Sequence, residues 1–296
     1  MAFSPPEFVA FTYPANNSNV LHSVQNRIMT KNCLLIFWRT ILWVLFIFSI
    51  ATQCSGQTTG DWKLEKMPTD LETDFALSAL PTQLRNDATV YLLNPEKGYY
   101  ISKQGTNGFV CFIARTEWEW TEFRQDVATP ISYDAEGAKN IMPVYLDVAV
   151  MRSSGKYSPM QIRDTIIARI KRGYYKAPSR PGISYMEAPV MRVYTSNNPG
   201  NNNVAAVSMP HYMYYAPWLT HSDLGLDSNS TQEPFLVNPD AMILGEGEKG
   251  PYTYLITPLN EAETAKIRES GQALLKRLEE YKPYFKVEGS MSSHHQ

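Results

Sequence analysis

Cysteine is scarce in this 296-residue chain: there are three, and two of them, Cys33 and Cys54, fall in one apolar N-terminal region. Without that region Cys111 stands alone, no intramolecular disulfide can form, and folding must rest on an apolar core. A surplus of either charge is missing too. Lys and Arg number 27 against 29 Asp and Glu, a formal net charge of -2 with an isoelectric point near 6.2. That balance provides no basic face of the kind that tracks nucleic-acid phosphates, so a polyanion partner is not expected. The chain also lacks a Gly-x-Ser-x-Gly elbow, a phosphate loop with its lysine, and any internal repeat.

What is present is ordinary globular composition, 44% hydrophobic and 19% charged, with aromatics at 12% and Tyr the commonest of them at 18. Tyrosines in such number suit half-buried sheets and pockets. The strongest local signal lies at residues 29–56. Lys31 and Arg39 precede an apolar stretch of eleven residues, 41–51, followed by small side chains at Cys54-Ser55-Gly56. Eleven residues fit a signal-peptide h-region and fall short of the roughly 20 that span a bilayer. A secretory signal cleaved before Gln57 is expected, delivering a secreted or periplasmic product. Two alternatives stand beside it. Residues 33–51, taken whole, could form an uncleaved anchor, against which Arg39 near mid-span counts. Cys54 could be lipidated, although Gln53 before it is not the small residue that a lipidation signal wants. Residues 1–28 are polar and aperiodic, and read as a disordered or mis-assigned extension ahead of a start at Met29.

Beyond a flexible lead-in at 57–69, one α+β domain is expected over 70–288, with a loose tail at 289–296: a mixed, mainly antiparallel sheet with packed helices. Residues 70–80 suggest a short helix stopped by Pro81. Three β-rich runs, 88–93, 98–103 and 108–115, suggest a meander, with Gly105-Thr106-Asn107-Gly108 as a hairpin turn. Glu117-Trp118-Glu119-Trp120 alternates with period two, as a strand would. Met142, Tyr145, Leu146, Ala149 and Val150 mark one stripe of a helix over 139–152. Ser158-Pro159-Met160-Gln161 starts another, with Ile162, Ile166 and Ile170 on its buried face and Gly173 at its end. Strands are expected again at 182–186, 189–194, 207–215 and 252–256. A last helix begins at Asn260, with its face on Ile267, Gly271, Leu274, Leu278 and Tyr281.

Four stretches taken together carry a resemblance. They are Gly105-Thr106-Asn107-Gly108-Phe109 with Cys111, Asp134-Ala135-Glu136-Gly137, Arg180-Pro181-Gly182-Ile183-Ser184-Tyr185-Met186, and Pro210-His211 with Tyr214-Tyr215-Ala216-Pro217. As a set they resemble a family of secreted bacterial proteins with no assigned activity, over about residues 75–258. The resemblance implies export, a bacterial source and one domain, and carries no catalytic residue.

Candidate chemistry is therefore read from side chains. Met209, His211 and Met213 alternate along an expected strand, which would gather thioether, imidazole and thioether on one face, a soft-metal set suited to Cu(I). The competing reading is a core strand with a hydrogen-bonded His. His221 and Asp223 make a weaker zinc pair. Cys111 could serve as a thiol nucleophile with His211 as base and Asp134 orienting it, or be a small buried hydrophobe. Asp134 and Glu136 could act as paired acids of a hydrolase, or form a turn and helix cap. The leading expectation is a non-enzymatic exported or envelope protein. It holds a small molecule or glycan in an aromatic cleft near Tyr99, Trp118, Tyr133, Asp134, His211, Tyr214 and Trp218, with His211 at a strand start behind Pro210.

Overall fold

The computed structural model describes residues 62–196, 201–227, 234–237 and 249–287. The chain divides after Gly56, and everything described lies in the second unit, Gln57–Gln296. The expected signal or anchor, the extension before it and the tail fall outside the described residues. The described part is an α+β domain, as its composition and strand spacing imply. No described helix is long and apolar enough to cross a membrane.

The first sheet is built by β1 (Thr89–Asn94), β2 (Gly98–Lys103), β3 (Val110–Ala114) and β4 (Thr129–Tyr133), in the order β2-β1-β3-β4. This corrects the expected meander. β1 and β2 form an antiparallel hairpin, but β3 returns to the far side of β1 and runs parallel to it, with Thr89 opposite Val110. The Gly-Thr-Asn-Gly stretch is the crossing that makes this possible. Gly105 N–H donates to Thr89 Oγ1 and Thr106 N–H to the carbonyl of Asp87, so the loop lies against the backbone entering β1. A Cβ on Gly105 would collide with the backbone of Asp87, Ala88 and Thr89. Glycine here serves close approach rather than a hairpin turn.

The second sheet is β5 (Ile183–Met186), β8 (His211–Tyr215), β10 (Tyr254–Pro258) and β9 (Phe235–Val237), all antiparallel neighbours in that order. β6 (Met191–Tyr194) and β7 (Val204–Val207) make a separate hairpin, bridged to the approach of β4 through Ala128 and Arg192. The two four-stranded sheets meet at β4 and β5 through a mixture of backbone and side-chain bonds in place of a regular ladder. Asp134 N–H donates to Ile183 O and Ile183 N–H to Asp134 Oδ2, while Ser132 Oγ accepts from Tyr185 N–H and donates to Tyr185 O. Ser184 Oγ donates to Ser132 O at 2.6 Å.

Alternation along the strands splits the interior in two. On β3, Phe112 and Ala114 face one apolar cluster and Cys111 and Ile113 the other. The first is closed by α4 (Met142–Ser153) and α5 (Pro159–Lys171), through Met142, Val144, Val148 and the expected row Ile162, Ile166, Ile170. α5 starts with the anticipated capping box of Ser158 and Gln161. Val150 breaks the expected stripe: it is exposed, and Val144 and Val148 are buried instead. The second cluster is closed by α1 (Thr69–Leu77) and α8 (Gln272–Tyr281), with Phe75 against Phe285 edge to face. The expected single C-terminal helix is two, α7 (Glu261–Ser270) and α8, parted at Gly271, where a Cβ would press on the Pro189 ring. Asn260 caps α7 as anticipated.

Three further expectations give way. Glu117-Trp118-Glu119-Trp120 is not a strand, because Trp118–Trp120 forms a 3-10 turn closed by Thr121 at φ +54°. The lead-in is not loose over its described part, for Leu64 and Met67 are buried and Arg152 Nε holds the carbonyl of Trp62. The strand expected over 207–215 is interrupted between β7 and β8, with Pro210 unable to donate to a ladder.

Candidate functional site

The four stretches that carry the resemblance are far apart in sequence and meet at the β4–β5 seam. Asp134 N-caps α3 (Ala135–Asn140), accepting from the N–H groups of Glu136 and Gly137 at Oδ1, and it also accepts from Ile183 N–H and from the Tyr215 hydroxyl. Gly137 and Gly182 are required there: a Cβ on the first would strike the Tyr215 hydroxyl, and one on the second Asp134 Oδ2 and the Tyr215 ring. Glu136 Oε1 accepts from Asn140 Nδ2 and from the backbone N–H and hydroxyl of Ser179, and Oε2 from Arg180 Nε. The Ser179 N–H and hydroxyl and the Arg180 charge hold its carboxyl below the usual range. Gly108 approaches Ala135, and the Phe109 ring lies 5.8 Å from that of Tyr185.

Over this seam β5 and β8 present an aromatic face. Tyr185 stands opposite Tyr212, and Ile183 opposite Tyr214, which in turn faces Leu255 of β10. The Tyr185 and Tyr212 rings meet edge to face at 5.3 Å, and Tyr214 is 42% exposed. Glu187 borders this face beside the Tyr212 hydroxyl, with burial pushing its carboxyl up. Burial and the charge of Glu187 together push the Tyr212 hydroxyl up to about 12, and Glu263 adds to the effect. The surface is thus tyrosine-lined with a carboxylate rim. Its signal in the sequence was the alternation within Ile183–Met186 and His211–Tyr215, which sets Tyr185, Tyr212 and Tyr214 on one side and Met213 and Tyr215 on the other.

The same alternation undoes the expected cleft. His211 points inward with Met213 and Tyr215, opposite to Tyr214, and is 4% exposed. Its Nδ1 lies 2.8 Å from the carbonyl oxygen of Met209, and burial lowers its pKa. Trp118 and Tyr133 are buried in the first apolar cluster, and Tyr99 packs against it with its hydroxyl on Ile113 O. Of the expected cleft Tyr214 and Trp218 are exposed, and Asp134, half-buried, serves as a structural tie.

The other candidates are placed as follows. Met209 is exposed in the connection before β8, so it does not share a strand face with His211 and Met213. His221 and Asp223 sit on the short helix α6 (His221–Leu224), where the Asp223 carboxylate closes a capping box with Thr220. Among the described residues no three His, Cys, Asp or Glu side chains are grouped to hold a metal. Cys111 is fully buried on β3, its thiol pushed up to about 12 by burial, so it carries no thiolate near neutral pH. Asp134 and Glu136 are occupied as multiple acceptors, and Asp134 forms the helix cap that the second of the two readings expects. No protein-family model, curated protein or solved structure matches this chain.

Proposed function

We propose that the chain is an exported, non-enzymatic binding protein whose ligand, a small hydroxyl-rich molecule or glycan, lies on the face formed by Tyr185, Tyr212 and Tyr214. The observation that carries this is the exposed and half-buried tyrosine row on adjacent strands beside Glu187. Sugar C–H faces stack on such rings, while phenol hydroxyls and a carboxylate accept from sugar hydroxyls. The acidic rim of Glu187 and Glu263 disfavours polyanions. A binding role also accords with side chains spent on structure: the candidate acids cap and tie backbone, and the candidate thiol is sealed. Export is proposed from residues 29–56 alone. Native mass spectrometry of protein recovered from the cell envelope or medium tests the reading. A chain beginning at Gln57 with a neutral saccharide-sized adduct is expected; a ligand-free chain that still starts at Met1 contradicts it.

A further inference from the structure

The rim of the tyrosine face carries charge of one sign. Glu187 directly follows β5, where its N–H donates to Ala79 O at 3.0 Å and its carboxylate accepts from the Tyr212 hydroxyl. It is 9% exposed. Glu263, in the first turn of α7, acts electrostatically on both Glu187 and Tyr212, so two carboxylates lie within reach of one phenol. Arg85 also acts on Glu187, but its Nε and Nη2 donate to the carbonyls of Leu80 and Ser78. Among the described residues no Lys, Arg or His is ion-paired with Glu187 or Glu263. Burial raises the Glu187 carboxyl, because its charge has a hydroxyl and a guanidinium beyond ion-pair distance as partners. The Tyr185 and Tyr212 rings, edge to face at 5.3 Å, and the exposed Tyr214 ring add the negative faces of their π-systems.

We propose that this face selects, among saccharides, those that carry a protonated amine, and that Glu187 is the residue that selects them. The inference rests on the tyrosine-face reading and adds the charge of the ligand to it. The ammonium donates to the Glu187 carboxylate beside the tyrosine rings, while the C–H face of the sugar stacks on the row as that of a neutral sugar does. Acetylation of the amine removes the charge and leaves one amide N–H, so the ion pair and the cation–π attraction are both lost.

A matched pair of probes tests this: a glucosamine trimer and its fully N-acetylated counterpart, titrated calorimetrically near neutral pH into the purified protein. The parent should bind the free-amine trimer roughly tenfold or more tightly than the acetylated one, and the preference should shrink as salt is raised. Glu187→Gln keeps the shape and an acceptor for Tyr212 but removes the charge. In that variant the ratio between the two trimers should fall below about threefold, whatever the change in absolute affinity. Equal binding of the two trimers by the parent overturns the selection and leaves the stacking face standing, and so does a preference that persists in Glu187→Gln. Failure of both trimers to bind the parent overturns the selection and the tyrosine-face reading together.

Discussion

Tyr215 directs its hydroxyl at Asp134 Oδ1 across 3.0 Å, joining the strand under the aromatic face to the residue that caps α3. Because Asp134 also accepts from Ile183 N–H, one carboxylate holds three elements. Asp134→Ala should cost about 3 kcal/mol, from a lost N-cap and the Ile183 amide left without its acceptor, while the Tyr215 hydroxyl keeps the Ile183 carbonyl. Urea unfolding reads this directly, and Asp134→Asn should fall between the two.

Glu72 is buried, with its carboxyl raised from an ordinary 4.5 to about 7, chiefly by burial. Glu117 is raised to about 7 for the same reason. A raised acid keeps its proton in the fold and loses it in the unfolded chain, so the stabilisation is complete below pH ~4.5. It is lost as pH rises through about 7 and is level beyond that. For Glu72 alone the change amounts to about 3 kcal/mol. Melting temperature should therefore fall by several degrees between pH 5 and pH 7.5, and Glu72→Gln should flatten the profile over that window.

Cys111 should be inert in the native protein. With its thiol raised to about 12 and no exposure, alkylation near neutral pH requires local or global opening. Iodoacetamide should label it roughly 100-fold or more slowly than in urea. Native labelling at the rate of a free thiol would refute its placement.

His211 should matter for stability and not for ligand. Its ring is buried on the inner side of β8 against the Met209 carbonyl. His211→Ala should lower stability by about 2–3 kcal/mol through the cavity and the lost bond, with ligand affinity unchanged.

Much of this fold was legible from local patterning. The Ser158–Gln161 capping box, the Ile162, Ile166, Ile170 row and the β2 bounds are where their residue types put them. Non-local decisions were hidden. That β3 pairs with β1 rather than β2 depends on Gly105 lying against the backbone of Asp87 to Thr89, which no spacing rule exposes. The aromatic site was half legible. Tyr214 and Trp218 were picked out for aromatic density, but His211 and Tyr133 were joined to them without regard to the period of two that turns neighbouring strand residues to opposite faces. Arg115 and Arg152 gave no sequence signal, since an arginine's burial is set by elements that meet it from afar.

The central claim concerns the Tyr185, Tyr212 and Tyr214 face, and isothermal titration of a panel of neutral oligosaccharides against Tyr214→Ala tests it most directly. Tyr214 is largely solvent-facing, so its removal should leave the melting temperature within about 2 °C of the parent. At least one saccharide should bind the parent and lose tenfold or more in affinity to the variant, with Tyr212→Phe losing less. Equal affinities in parent and Tyr214→Ala, or no saccharide bound by either, would contradict the account.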